Sequence, residues 1–421
     1  MKVCVCAVLA ASLMMAAPAR AQLAPQGLPA QVTLDDVLKL LDERSPRTLA
    51  GRASIAVVAA DRITAATLPN PTVSYGGVHL AAGLSTGAVT QNQFLLEQPL
   101  LFLHQRQARL DVADANVHTE EARVADALAS RRLSVRSAFA SLLSRQEQLR
   151  LLQQALDNME HVQQLVRGKA AAGDRSKYDV ARVEVETESV RVEALSAAAD
   201  VEDLSGQLAV LLGFPGWSPR AIGTLDVREN LPSNVEVLWE HANERRPSLI
   251  ALRRQQTAAR GGVFLAQRER LPVPAISGGV QTTREVTGTS ALFGLSVPLP
   301  FFDRNQGAIA KATAQVTAAD LELQAAQAEV RAQIENSAVV LAKRKEALRT
   351  FEGAVTDRVP VLRRMAEDAY REGSADILEL LDANRSLRDL QVEHVQQIEA
   401  VKLAEEALIS AASLDVAAPT P

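Results

Sequence analysis

The side chains best suited to metal binding or nucleophilic attack are sparse in this sequence and far apart. The six histidines are His79, His104, His118, His161, His241 and His394. None forms a pair at the short spacing that lets neighbouring ligands share one ion. The only two cysteines, Cys4 and Cys6, sit at the start of the chain. A Gly-rich phosphate loop, an H-E-x-x-H helix and a nucleophile elbow are all missing from the sequence. We read the histidines as scattered surface residues and expect no catalytic residue, no cofactor and no resident metal. The many arginines and glutamates fall at helical spacing, where they pair along solvated faces.

The chemistry that remains is that of charge carried on long elements, and composition says what those elements are. Residues 1–21 have the form of a signal peptide: Lys2, an apolar run from Val3 to Ala17, and Ala19-Arg20-Ala21 before Gln22. The run is about 15 residues, short of the roughly 20 that a membrane-spanning helix needs. Both cysteines fall inside it, so the remaining chain has no disulfide and no thiolate site. Removing Lys2 and Arg20 from the 45 basic residues leaves 43 against 50 acidic ones, a net charge near −7. Nucleic-acid binding draws on basic residues meeting phosphates, so no nucleic-acid partner is expected. Aromatics are only 3%, and the Ala-, Gln-, Arg-, Glu- and Leu-rich stretches suit long packed helices. Beyond residue 21 no run of 18 apolar residues exists, so any passage through a membrane must use a β-barrel.

Four landmarks recur in the same order at an offset near 200. Glu43-Arg44-Ser45-Pro46 returns as Glu244-Arg245-Arg246-Pro247, and Leu68-Pro69-Asn70-Pro71 as Leu271-Pro272-Val273-Pro274. Gln98-Pro99-Leu100-Leu101-Phe102 returns as Val297-Pro298-Leu299-Pro300-Phe301, and Gly173 as Gly373. The chain reads as a tandem duplication. Each copy predicts an opening helix, 33–66 or 236–269, that ends at the Leu-Pro-x-Pro element. Two strands follow, 72–81 with 89–98 and 275–283 with 290–297. The loops between them carry Gly83, Ser85, Thr86 and Gly87, or Thr287, Gly288 and Thr289. Ala291, Phe293, Leu295 and Val297 alternate with Leu292, Gly294 and Ser296, a strand with one apolar face.

A long helix over 105–167 carries a coiled-coil seam at Leu142, Leu149, Leu152, Leu156, Met159 and Val166. Its counterpart, 308–371, contains Gly353 and Pro360 and should kink near 360. Turns at Gly173 and Gly373 lead into return helices at 176–212 and 374–412, with Ser176 and Ser374 as expected N-caps. The divisions are a signal peptide at 1–21, an extension at 22–32, the first repeat at 33–212, an equatorial linker at 213–235, the second repeat at 236–413 and a tail at 414–421. Each outgoing helix is longer than its return helix by about the length of the other repeat's opening helix. A cylinder could therefore pair one long helix with two short ones stacked end to end. Four strands cannot close a barrel, whereas three copies supply twelve.

This order of elements, given twice, resembles the TolC family of outer-membrane efflux proteins over nearly the whole chain. The segment Val297-Pro298-Leu299-Pro300-Phe301-Phe302-Asp303-Arg304-Asn305-Gln306-Gly307 is similar to the strand-to-helix junction of its CzcC-like branch, which serves heavy-metal pumps of the RND type. Tyr370-Arg371-Glu372-Gly373-Ser374 and Leu380-Leu381-Asp382-Ala383-Asn384-Arg385 resemble the family's periplasmic turn. The resemblance implies a homotrimer with a twelve-stranded barrel in outer-membrane lipid of a Gram-negative bacterium and an α-helical tunnel in the periplasm. It also implies a periplasmic adaptor protein and an inner-membrane RND pump as partners, and passive conduction, here of divalent metal cations such as cobalt, zinc or cadmium. A duct for drugs or type I secretion substrates is the alternative on the same fold. A periplasmic coiled-coil scaffold or adaptor is the alternative of another class, and the strand pairs argue against it.

The same resemblance places acidic rings of the tunnel's narrow end on Glu379 and Asp382, where three copies of each carboxylate would attract cations. Read from the residues alone, they are solvated carboxylates near a helix N-terminus, favoured there by the dipole. The resemblance makes Tyr370 and Asp179 partners in a latch between the repeats. Ala375 stands where the family pattern has an arginine, so closure would draw on Arg175, Lys177 or Arg182. The turns 168–178 and 370–378, with Gly173, Ser176, Gly373 and Ser374, become the expected docking surface for the adaptor.

Overall fold

The computed structural model describes residues 27–79, 82, 90–173, 176–228, 231–283, 288–355 and 358–414. The expected signal peptide, most of both hairpin loops, Arg175 and the end of the C-terminal tail lie outside the described residues. In chain order the elements are β1 (Gln31–Val32), α1 (Leu34–Glu43), α2 (Pro46–Ala66), β2 (Thr72–His79), β3 (Thr90–Pro99), α3 (Gln105–Ala171) and α4 (Lys177–Leu212). Then come β4 (Arg220–Ala221), α5 (Val235–Arg245), α6 (Pro247–Glu269), β5 (Ala275–Thr283) and β6 (Gly288–Ser296). The chain closes with α7 (Gln306–Val355), α8 (Val359–Glu372) and α9 (Ile377–Ala412).

The opening helix expected in each repeat is two helices, not one. Ser45 and Arg246 take extended backbone, ψ 124° and 121°, before Pro46 and Pro247, each of which starts the next helix. Proline forces this on its predecessor and is tolerated in a first turn, where its missing N–H bonds to nothing. Near the expected kink at 360, the second outgoing segment is described as two helices. α7 is described to Val355, α8 starts at Val359, and Pro360 falls in the first turn of α8. No such residue interrupts α3, which runs for 67 residues. The strand-to-helix corners use a paired device: His104 and Asn305 both take left-handed backbone, φ 61° and 57°, just before α3 and α7.

The four long strands form one antiparallel sheet in the order β2-β3-β5-β6. Register sorts its side chains into two faces, since cross-strand partners point the same way. One face carries the rows Val73, Leu96, Gly278, Phe293 and Tyr75, Phe94, Val280, Ala291, with Ile276 and Leu295 beside them. The Tyr75 and Phe94 rings pack with centroids 4.8 Å apart. The other face carries Thr72, Glu97, Ser277, Gly294 and Gly76, Gln93, Gln281, Ser290, interrupted by Leu95 and Leu292. The apolar face is open: Phe293 is 90% exposed and Leu295 71%. β2 and β6 are the sheet's edges.

The helices lie in a matching order. On the side toward the sheet, α2, α3, α6 and α7 pack in succession, and α4, α3, α9 and the α7–α8 pair do so below. The first repeat thus forms one lateral edge (α2, α4, β2) and the second the other (α7, α8, β6). Two equatorial cores hold the middle. In the first, α1 buries Val37 and Leu41 against Phe139 and Leu142 of α3, Leu208 and Leu212 of α4, and the linker's Phe214 and Trp217. In the second, α5 and α6 bury Leu238, Ala242 and Leu249 against Ile334 and Leu341 of α7 and Val401 and Leu408 of α9. The extension joins the belt directly: β1 pairs in parallel with β4, and Trp217 Nε1 donates to Pro29 O at 3.0 Å.

A buried charge cluster fastens the second half of the linker. Glu405, with no exposed surface, accepts from Arg228 N at 2.9 Å and lies 3.1 Å from Lys345 Nζ and 3.6 Å from Lys402 Nζ. Those lysines also donate to the Arg228 and Asp226 carbonyls. Next to it the buried Glu406 pairs with Arg136 of α3 at 3.3 Å. Carboxylates survive out of water only when paired and hydrogen-bonded in this way. Glu405→Ala should destabilise the protein by about 3–5 kcal/mol, because Lys345 and Lys402 lose their buried counter-charge. Thermal and denaturant unfolding of the purified protein would read this, and an unchanged midpoint would contradict it.

Candidate functional site at the helical tip

Opposite the sheet, the chain turns back twice. At the first turn Gly173 has φ 87°, and α4 then starts from Ser176. A reciprocal cap forms there: Asp179 N donates to Ser176 Oγ at 3.2 Å, and Ser176 N donates to Asp179 Oδ2 at 3.2 Å. At the second turn Gly373, φ 78°, closes α8 with its N–H on Tyr370 O at 3.3 Å. Positive φ here suits glycine and strains other residues. Ser374 is not the N-cap expected for the return helix. Its hydroxyl donates back to Ala369 O at 3.1 Å, and α9 begins three residues later, at Ile377. The cap is Asp376, whose Oδ1 accepts from Leu378 N at 2.5 Å and Glu379 N at 3.2 Å. The sequence held that signal: Asp376 stands immediately before an apolar-periodic segment, with Glu379 three residues on.

An apolar cluster joins the repeats just above the turns. Met159, Val162 and Val166 of α3 and Val183 and Val190 of α4 pack with Tyr370 of α8 and Ile377, Leu380 and Leu381 of α9. Tyr370 is fully buried, with Lys169 Nζ 4.9 Å from its ring centroid. The same ammonium donates to Tyr370 O at 3.2 Å and Arg371 O at 3.3 Å, so a cation of α3 satisfies the carboxyl end of α8. Asp179 is half-buried in its cap, while Arg182, Glu379 and Asp382 are exposed on α4 and α9. Glu379 and Asp382, one turn apart, share the outer face of α9 with Asp389.

Sequence reading missed the ion pairs that join the repeats above this cluster. Arg385 of α9 makes a two-pronged pair with Glu186 of α4, at 2.5 and 3.2 Å. That hydrogen-bonded carboxylate, together with its charge, holds the Arg385 guanidinium pKa above its ordinary value. Arg388, nearly buried, reaches Glu193 of α4 at 3.4 Å and Asp389 at 2.8 Å. Helical periodicity carries no signal for such contacts, since Glu186 and Arg385 lie 199 residues apart. Among the described residues no group of three or more His, Cys, Asp or Glu is arranged to hold a metal, and no helix is long and apolar enough to cross a membrane.

An open, amphipathic four-stranded sheet thus lies at one end of a long helical body, and a capped double turn at the other. The profile of the family described as Outer membrane efflux protein matches residues 37–214 and 238–413, and the chain belongs to that family. Members of this family are channels of tripartite efflux pumps, not enzymes; they extend from the outer membrane into the periplasm and work with an adaptor and an inner-membrane RND pump. Among relatives, the cobalt-zinc-cadmium resistance protein CzcC of Cupriavidus metallidurans is 25% identical over 293 residues, covering 69% of each chain. Nodulation protein T of Rhizobium leguminosarum bv. trifolii is 24% identical over 269 residues, 60% of this chain and 56% of its own length. Among solved structures, the outer-membrane channel OprN superposes with a TM-score of 0.74 at 19% identity, over 90% of this chain and 89% of the other. Outer membrane protein VceC of Vibrio cholerae gives 0.72 at 19% identity, over 90% and 95%.

The caps yield a direct comparison. Ser176→Ala and Asp376→Ala should each cost about 1 kcal/mol and speed amide hydrogen exchange in the first turn of α4 or α9. Ser374→Ala should leave exchange in α9 unchanged; faster exchange there would restore Ser374 as the cap.

Proposed function

We propose that this protein is the outer-membrane exit duct of an RND-type efflux system for divalent heavy-metal cations, formed by three copies of the chain. The sheet carries this reading. It has one apolar and one mainly polar face, and its edge strands β2 and β6 are left for neighbours to complete. Three such sheets joined edge to edge make a twelve-stranded barrel with lipid outside and water inside. The helices support the same closure. α4 buries Val183, Val190 and Ala197 against α3, yet carries a second seam, Tyr178, Val185 and Val192, spaced by seven and 64–72% exposed. A helix with seams on opposite faces suits a ring in which every helix has two neighbours. Heterologous contact of the first-repeat edge with the second-repeat edge of the next copy closes after three.

The metal substrate rests on the likeness to the cobalt-zinc-cadmium resistance protein. In the trimer, Glu379 and Asp382 ring the aperture and favour cations, and Tyr370, Asp179, Arg175 and Arg182 hold the resting tip together. The turns around Gly173, Ser176, Gly373 and Ser374 receive the adaptor. Conduction needs weak sites, and an acidic ring is weak enough to release a metal ion.

Deleting the gene should sensitise its host to one or more of zinc, cobalt, cadmium, nickel and copper. Sensitivity to drugs alone would point to the alternative duct, and recovery of the protein in the soluble periplasm would remove the channel reading. In planar bilayers the purified protein should prefer cations. Glu379→Gln combined with Asp382→Asn should lower the cation-to-anion permeability ratio several-fold, and an unchanged reversal potential would exclude these carboxylates from the aperture.

A further inference from the structure

The reading of Glu379 and Asp382 as an aperture leaves one cation to explain. Arg385 lies one turn beyond Asp382 and one turn before Asp389 on the same side of α9. At such spacing a guanidinium normally folds onto its own helix and pairs with a neighbouring carboxylate. In this chain it turns away to Glu186 on α4, and both of its near nitrogens bond that one carboxylate. The partner is well placed to keep it. Glu186 is only 14% exposed, whereas Arg385 is 52% exposed, so the pair is anchored from the α4 side. The surroundings are polar: Gln154, Asn158, Asn384 and Gln391 line the cleft between α3, α4 and α9. Loss of Glu186 would leave the guanidinium in reach of Asp382 and Asp389.

We infer that Glu186 is a selectivity-determining residue of the duct: it neutralises Arg385 from outside the aperture and so leaves the Asp382 carboxylate available to passing cations. The role belongs to a fixed charge balance. In each subunit the arginine one turn from Asp382 is already matched by a residue of the other repeat. Glu186 contacts no permeating ion in this scheme and acts only through Arg385.

This inference rests on the duct reading, and bilayer recordings of the full-length purified protein under a potassium chloride gradient separate the two. Glu186→Gln should lower the cation-to-anion permeability ratio several-fold. Arg385→Gln should raise it or leave it unchanged, and the double variant should return it to the wild-type value. Wild-type reversal potential in Glu186→Gln would overturn the inference while leaving the duct intact. A ratio that stays low in the double variant would overturn it too, because a merely structural pair is not rescued by removing its second member. Absence of current from the wild type itself would overturn the duct reading and this inference with it.

Discussion

A strand in hydrocarbon must find a partner within protein for every N–H and C=O, because lipid offers none. Among the described residues, β2 and β6 each present an edge that no strand covers, and most of the sheet's large apolar residues point to one side, Val78, Leu95 and Leu292 excepted. Much else in the architecture accords with that requirement. The helices below the sheet keep its lateral order, first repeat at one edge and second at the other. The corners at His104 and Asn305 bend the chain from sheet into helix with the same left-handed step. The seam left open on α4 lies at the edge where the sheet is also open.

Between sheet and tip the chain holds itself together without a disulfide. Each equatorial core packs a short opening helix against a long outgoing one and its return partner. The belt is fastened in chemically different ways at its two ends. Apolar packing and a two-residue parallel strand pair hold the first half, and the buried carboxylates Glu405 and Glu406 with their lysines and Arg136 hold the second. Apolar packing is tolerant of small displacements, whereas the charged cluster demands one geometry. The second half of the belt is therefore the more exactly specified.

Much of this is legible in the sequence because its punctuation is proline and glycine. Prolines at 69, 71, 272 and 274 mark where helix gives way to strand, and Gly173 and Gly373 mark the reversals. Pro46 and Pro247 were equally visible, but as landmarks of a repeat they hid their plainer meaning as helix breakers. Ser374 illustrates a different limit: two capping residues, separated only by Ala375, compete, and the carboxylate of Asp376, which accepts two backbone N–H groups, prevails. The pairing of β3 with β5 across the repeats, and of Arg385 with Glu186, depends on how distant segments meet. Local periodicity carries none of that information, and the contacts between copies that the open edges call for lie beyond a single chain altogether.

The unequal continuity of the two outgoing helices has a mechanical meaning. α3 runs unbroken for 67 residues, roughly 100 Å at 1.5 Å per residue. A rod of that length is a lever, and a one-degree tilt at its sheet end moves the far end sideways by about 1.7 Å. The corresponding path in the second repeat is cut into α7 of 50 residues and α8 of 14. The first repeat thus carries one continuous strut between the tip and the sheet, whereas the second carries two helices in succession. A displacement at the tip therefore reaches the sheet most directly along α3.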